Sequence, residues 1–194
     1  MSLYPSMSYA DMADMPIVIA TSGIALQNEL IRKVIPELSS VLVKHGIIKQ
    51  PISAILRKGR GHYVCRRKLQ AHIQFEQDQK MKAILAKLLQ PHATIDLDTV
   101  EGLTPHVRRK ISVPTCCNSD CPYMRNCKYL QFRRAAQSPS IDIQVCNHNY
   151  FQADTLRRRE GKRPIIPNYQ SVIIDKTHKS SKSGIPKLGI PEKF

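Results

Sequence analysis

Residues 16–30 read PIVIATSGIALQNEL, and the strand–helix pattern in this stretch predicts the fold class. PIVIATS (16–22) is a short run of β-branched apolar residues between Pro16 and Gly23, which is typical of a buried strand. Residues 24–46 then place apolar side chains on one broad face and end at Gly46. This pattern predicts an amphipathic helix, bent near Pro36 and closed by a C-terminal glycine.

Further strands and helices are predicted on both sides of a long interruption. Residues 52–59, 140–148 and 171–175 read as strands, and residues 127–137 and 149–160 as helices. The alternation indicates an α/β fold with a parallel sheet. Residues 60–130 hold no convincing strand: 68–90 read as one long helix or a pair, and 95–111 as a loop. We therefore predict one α/β domain in two parts, 1–59 and 131–178, with a mostly helical insert (60–130) and a disordered Lys/Ser/Gly/Pro-rich tail (179–194).

The charge of the chain points to a polyanionic partner. Among 194 residues, 30 are Lys or Arg and 15 are Asp or Glu, giving a formal net charge of +15. Such an excess favours nucleic acid. No apolar run approaches the roughly 20 residues that span a bilayer, and the N-terminus lacks the features of a signal peptide. We expect no membrane partner and a cytoplasmic location.

One cysteine stands apart in the sequence from a cluster of four. Cys65 stands alone, whereas Cys116, Cys117, Cys121 and Cys127 lie within VPTCCNSDCPYMRNC. In a reducing compartment clustered cysteines indicate metal ligands, and four thiolates hold a [4Fe–4S] cluster or a tetrahedral zinc ion. The expected ligands are Cys65, Cys121, Cys127 and either Cys116 or Cys117. Cys146, in an apolar strand, is expected to be a core residue.

Basic residues surround these cysteines. They are expected either to grip the phosphates of single-stranded DNA, with Tyr63, Tyr123 or Tyr129 as stacking faces, or to balance the charge of the thiolates. The flanking set includes Arg57, Lys58, Arg60, Arg66, Arg67, Lys68, Arg133 and Arg134.

Five segments in order resemble the DinG/XPD-type superfamily 2 DNA helicases. IVIATSGIALQNEL resembles helicase motif Ia, and LRKGRGHYVC resembles the stretch with the first cluster ligand. CCNSDCPYMRNC followed by YLQFRRAA resembles the remaining ligands and the helix after them. VCNHNYF and SVIIDKTH stand where the family has its Asn–His segment and its Asp–Glu–Ala–His box. Together they cover residues 16–178.

The resemblance implies a partial RecA-like motor domain with an iron–sulfur insert. It implies ATP-driven unwinding of DNA by translocation on a single strand, with ATP and magnesium as cofactors and a structural [4Fe–4S] cluster. It also implies that Thr21, Ser22 and Gln27 contact the DNA backbone. For Thr21 and Ser22, capping of the following helix is the alternative.

Two departures from the family concern catalysis. No GxxxxGK[ST] loop precedes motif Ia, and the acidic box reads Asp175–Lys176–Thr177–His178. Asp175 keeps the ability to contact magnesium, but Lys176 cannot act as the acidic residue that polarises water. Asp175 and His178 are thus remnants of a catalytic motif. We expect a partial first motor domain without ATP hydrolysis, and whether a second polypeptide supplies missing parts stays open. The alternatives are a stand-alone iron–sulfur or zinc nucleic-acid-binding module and a gene remnant.

Overall fold

A computed structural model of the chain describes residues 15–114 and 121–175. Its sheet contains β1 (Ile17–Thr21), β2 (Ala54–Arg57), β3 (Ile143–Asn147) and β4 (Ser171–Ile174), in the spatial order β2-β3-β1-β4. All three strand pairings are parallel. The predicted α/β class and its parallel sheet are confirmed. Residues 176–178 and the predicted tail at 179–194 lie outside the described residues.

The helix after β1 is interrupted where its sequence contains proline. It runs as α1 (Ile24–Glu29), a π-helical stretch (Leu30–Val34) and α2 (Ile35–Lys44). Pro36 has no N–H to donate to the carbonyl four residues earlier, and the irregular turns lie just before it. Gly46, at φ 67°, follows the helix in the left-handed conformation that glycine adopts without strain, as predicted.

The chain between β2 and β3 is helical in its described part. It contains a 3₁₀ turn (Arg60–His62), α3 (Arg66–Ile73), α4 (Gln79–Leu88), a second 3₁₀ turn (Leu97–Thr99), α5 (Pro105–Ile111) and α6 (Lys128–Ala135). The interpretation of 68–90 as a helix pair holds. The loop predicted over 95–111 is wrong at its end, because Thr104 Oγ1 accepts from Val107 N and Pro105 occupies the first turn, which together start α5.

Helix α7 (His148–Arg159) follows β3 directly. Asn147 Oδ1 caps it by accepting from Tyr150 N at 2.7 Å. The fully buried Asp154 accepts from Ile165 N and Ile166 N, and from Arg158 Nε at 2.6 Å. These bonds hold the loop before β4 against α7.

The sheet is covered on both faces, and the helical segment between β2 and β3 has a core of its own. Ile17, Ile19, Ile143 and Val145 pack against α1 and α2, while Val18, Ala20, Cys146 and Ile166 pack beside α7. The third core belongs to α3, α4 and α5 and contains Leu69, Met81, Leu85, Leu88, Leu97, Val107 and Ile111. Within the described ranges, no helix combines the length and apolar character needed to cross a membrane.

Candidate cysteine centre and nucleic-acid interface

Cys65 lies where an extended segment enters α3. Its backbone N–H donates to Ile111 O at 2.8 Å, and the neighbouring Tyr63 O accepts from Val113 N at 2.9 Å. Cys65 is the N-cap residue of α3, and its carbonyl accepts from Leu69 N at 2.9 Å, but its thiol makes no capping bond. The thiol of the lone cysteine is therefore held at the positive end of a short basic helix.

Cys127 has the same position on α6. It is the N-cap residue, its carbonyl accepts from Gln131 N at 2.9 Å, and its thiol makes no capping bond. The next residue, Lys128, donates through Nζ to the carbonyls of Gln90 and Ala93 just after α4. This contact ties the start of α6 to the segment that follows α4.

Both cysteines pack on one aromatic cluster, formed by the buried residues Tyr63, Val113 and Tyr129. The Tyr63 ring centroid lies 5.2 Å from that of Tyr129, and Cys65 and Cys127 are among the half-buried residues that contact the cluster. The fold therefore brings two remote cysteine-bearing stretches together at the N-termini of two helices.

The remaining cysteines of the predicted set are placed only in part. Cys121 is half-buried in a turn, where its carbonyl accepts from Met124 N at 2.9 Å. The segment after it reaches α3, because the Arg66 guanidinium lies 5.8 Å from the centroid of the Tyr123 ring. Cys116 and Cys117 lie outside the described residues. Within the described part of the chain, no group of three or more His, Cys, Asp or Glu side chains is arranged to hold a metal ion.

The surroundings of the described thiols fit a thiolate-ligated metal. The N-terminus of a helix favours a negative charge such as that of a metal-binding thiolate. In the sequence Cys116 and Cys117 follow Val113 by three and four residues, a reach of roughly 10–14 Å for extended chain. Val113 itself belongs to the aromatic cluster that Cys65 and Cys127 contact. By sequence separation alone, the chain from Val113 to either cysteine is thus short.

Cys146 is a core residue, as predicted. It is fully buried in β3 between Val18, Ala20 and Ile166. Burial raises the pKa of its thiol to about 12. A thiol in this state is neither a ligand nor a reactive nucleophile.

Of the eight basic residues near the cysteines, five are exposed, two are buried and Lys68 is half-buried. Arg60, Arg66, Arg67, Arg133 and Arg134 are exposed. Arg57 is buried and donates to Gln144 Oε1 at 2.6 Å and to the Ala136 carbonyl. Lys58 is buried and bonds Asp96 and Asp98. The expectation that Arg57 and Lys58 face DNA phosphates is therefore wrong, because both charges are satisfied inside the protein.

Lys58 centres an ion-pair network that joins β2 to the insert. Its Nζ lies 2.6 Å from Asp96 and 2.8 Å from Asp98, and Asp98 also accepts from Arg108 and His62. Burial alone raises the pKa of the Asp98 carboxyl, but the bonds from Lys58, Arg108 and His62 outweigh it and hold that pKa well below its usual range. Sequence patterns do not reveal this network, since its members come from three separate stretches of the chain, residues 58–62, 96–98 and 108.

The aromatic residues expected to stack on bases are placed differently from one another. Tyr63 and Tyr129 are 3% and 6% exposed, so the expectation for those two is wrong. Burial raises the pKa of Tyr63, whose hydroxyl oxygen accepts from Lys58 N. Tyr123 is half-buried at the surface and remains a candidate stacking face.

Of the motif Ia residues, Thr21 and Ser22 lie at the carboxyl end of β1 and Gln27 lies in α1. Thr21 is buried, and its Oγ1 donates to Gly23 O at 3.4 Å, whereas Ser22 is exposed. The capping alternative is wrong, because Gly23 occupies the N-cap position of α1 and no side chain caps it. Gln27 is fully buried, so its side chain is not available to a DNA strand bound at the protein surface.

The altered acidic box begins at the same edge of the sheet. Asp175 follows β4, is half-buried, and donates its backbone N–H to Ala20 O at 3.0 Å. Asp175 thus lies directly after β4, the strand that pairs with β1. His178 and the intervening Lys176 and Thr177 lie outside the described residues.

Comparison with known proteins gives a consistent set of relatives. No protein-family model matches the chain. The ATP-dependent DNA helicase YoaA of Escherichia coli (strain K12) is 26% identical over 184 residues, which are 90% of this chain and 28% of that protein. The probable ATP-dependent helicase YpvA of Bacillus subtilis is 25% identical over 192 residues, covering 89% and 28%. The ATP-dependent DNA helicase DinG of E. coli is 28% identical over 169 residues, covering 75% and 22%. The chain thus spans between 22% and 28% of the length of these relatives.

Proposed function

We propose that this chain, a relative of the DinG-like ATP-dependent helicases, carries a thiolate-bound cluster and binds single-stranded DNA. The resemblance read from the motifs is confirmed by relatives named as helicases of the DinG, YoaA and YpvA types. One observation carries the proposal. Cys65 and Cys127 occupy the N-cap positions of two basic helices and contact the same aromatic cluster.

The proposed ligands are Cys65, Cys121, Cys127 and one of Cys116 and Cys117. When bound, a [4Fe–4S] cluster supplies a covalent tie between the start of α3 and the segment before α6, a structural role. The chain's own residues would hold the thiolates at two helix N-termini, and Arg66 and Lys128 directly follow Cys65 and Cys127 in the sequence. Zinc is the alternative, because four thiolates also suit its tetrahedral geometry.

Metal analysis of the anaerobically purified chain tests the ligand set. We expect about four iron and four sulfide per chain, lost in Cys65→Ser and in Cys127→Ser. The matched control, Cys146→Ala, keeps its iron because Cys146 lies in the sheet core. Comparison of Cys116→Ser with Cys117→Ser identifies the fourth ligand. One zinc ion in place of iron would support the alternative, and full iron content in Cys65→Ser would contradict the ligand set.

The proposed DNA contacts are exposed side chains, most of them in α3 and α6, the two helices that begin at Cys65 and Cys127. Arg66 and Arg67 lie in the first turn of α3, and Arg133 and Arg134 in the last turn of α6, with Arg60 before α3 and Ser22 after β1 as further contacts. Such groups bind the sugar-phosphate backbone without reading sequence, and their affinity falls with salt.

Salt-dependent binding of a labelled single strand tests these contacts. For Arg66→Ala/Arg67→Ala we expect a weaker affinity and a salt slope reduced by about 1.4, since each phosphate contact to a single strand contributes about 0.7. The control Lys82→Ala removes an exposed charge from α4 and should change the slope less. An unchanged slope in the double arginine variant would contradict the assignment.

We further propose that this chain does not hydrolyse ATP. Lys176 stands where helicases of this type have the glutamate that polarises the attacking water, and an ammonium group cannot accept that proton at neutral pH. Phosphate release in the presence of ATP, magnesium and single-stranded DNA is expected to stay at background. Robust turnover that disappears in Asp175→Ala would refute the proposal.

A further inference from the structure

The C-terminal end of α7 carries positive charge that the proposed DNA contacts do not include. Residues 157–163 read RRREGKR, five cations and one carboxylate. Two of the cations are neutralised, because Arg158 Nε lies 2.6 Å from the buried Asp154 and Lys162 Nζ lies 2.7 Å from Glu160. Within the described ranges, no carboxylate pairs with the other three cations of this run. They are Arg157, Arg159 and Arg163.

The fold joins this basic run to the end of α6. Gln137, just after α6, donates through Nε2 to Ile165 O in the loop after α7, at 2.9 Å. Arg134 precedes Gln137 by three residues and Arg163 precedes Ile165 by two, so at most about 11 Å and about 7 Å of chain separate these arginines from the bonded residues. The proposed DNA contacts of α6 and the cations after α7 thus lie on the two sides of one hydrogen-bonded junction.

We propose that the single strand continues from α6 onto the basic end of α7, where the exposed Arg159 and Arg163 bind further phosphates. The inference rests on the proposed single-stranded DNA binding and adds a second surface to the path of the strand. Cations in the last turn of a helix also offset the helix dipole, but that effect fades beyond the last turn. Arg163 lies four residues after the end of α7, so the dipole does not account for it. A row of unpaired cations beside an existing phosphate surface binds the backbone without reading sequence.

The salt dependence of binding to a long labelled oligodeoxythymidylate tests the second surface. In fluorescence anisotropy with the full chain, Arg159→Ala/Arg163→Ala should reduce the salt slope by about 1.4, the contribution of two phosphate contacts to a single strand. The control Lys80→Ala/Lys82→Ala removes the same charge from the exposed face of α4 and should change the slope less. Because the guanidinium groups of Arg159 and Arg163 are exposed, both double variants should keep the urea midpoint of the unaltered chain.

Photo-cross-linking of the unaltered chain gives a second measurement that needs no variant. With photoreactive thymidine analogues along the strand, mass spectrometry should find cross-linked peptides from residues 157–170 in addition to peptides from α3 and α6. Cross-links confined to parts of the chain outside 157–170 would overturn the second surface while the proposed DNA binding stands. An equal slope in the double arginine variant and the lysine control would overturn it in the same way. Absence of any binding by the unaltered chain would instead remove the proposed DNA-binding function, and the second surface with it.

Discussion

Replacement of Lys58 by methionine should destabilise the protein strongly although it removes only one ammonium group. The side chain of Lys58 is 2% exposed, and its Nζ donates to two carboxylates, Asp96 at 2.6 Å and Asp98 at 2.8 Å. Methionine has a similar length and keeps the apolar contacts of the lysine stem. The substitution therefore measures the effect of losing the charge with the apolar packing kept.

The expected magnitude follows from these contacts. Each hydrogen bond to a charged group contributes about 1.5–3 kcal/mol, and removing one partner of a buried ion pair costs about 3–5 kcal/mol. Two features favour the lower end of this range of destabilisation. Asp96 is 21% exposed and gains water, and Asp98 keeps its bonds from Arg108 and His62. We expect a loss of about 3 kcal/mol in the free energy of unfolding.

Urea unfolding of the full chain measures the effect. With a slope of about 2–3 kcal/mol per molar urea, the midpoint should fall by about 1–1.5 M. The control Lys82→Met, on the exposed face of α4, should change the free energy by less than about 0.5 kcal/mol. Asp98→Asn completes a double-mutant cycle in which the coupling with Lys58→Met should exceed about 1 kcal/mol.

Two results would refute this reasoning. A loss below about 1 kcal/mol in Lys58→Met would mean that the network contributes little beyond an exposed ion pair. A coupling near zero would mean that Lys58 and Asp98 stabilise the fold independently, contrary to their contact.

Three further predictions concern pH, the α7 loop and thiol reactivity. Because the folded pKa of Asp98 lies below its unfolded value of about 4, its stabilisation is present above pH 4 and lost as the pH falls below it. The urea midpoint of Asp98→Asn should therefore depend less on acid than that of the unaltered chain. Asp154→Ala should lower the free energy of unfolding by about 3 kcal/mol, since it leaves two backbone N–H groups and Arg158 without their acceptor, whereas the exposed cap variant Asp78→Ala should cost about 1 kcal/mol. Cys146, with its pKa raised to about 12, should stay unlabelled by maleimide in the native state and react only on unfolding, and rapid native labelling found by mass spectrometry would contradict its burial.

The candidate site was predictable in its residue types and not in its geometry. The spacing of cysteines and basic residues indicated a metal centre next to a polyanion interface. It did not indicate which cations are exposed, because Arg57 and Arg60 have the same charge and lie in the same basic run. Arg57 is buried since its position at the end of β2 points it at Gln144 of the adjacent strand, a contact that only strand pairing creates.

The start of helix α5 is encoded by a local signal in the sequence. Thr104 followed by Pro105 is a helix start, and both cues are short-range. The buried Gln27 differs in kind, since no pattern around it distinguishes an exposed motif residue from a buried one.

The amino-acid order alone determined the four strands, the long helix after the first strand and the stop at Gly46, because hydrophobic period and glycine conformation act over a few neighbouring residues. Only the tertiary structure decided that β3 lies between β2 and β1, that Lys58 bonds Asp96 and Asp98, and that Cys65 and Cys127 share the aromatic cluster. These outcomes join segments that are distant in the chain. Their energies depend on burial and on the alignment of charges, which exist only once the sheet and the insert have packed.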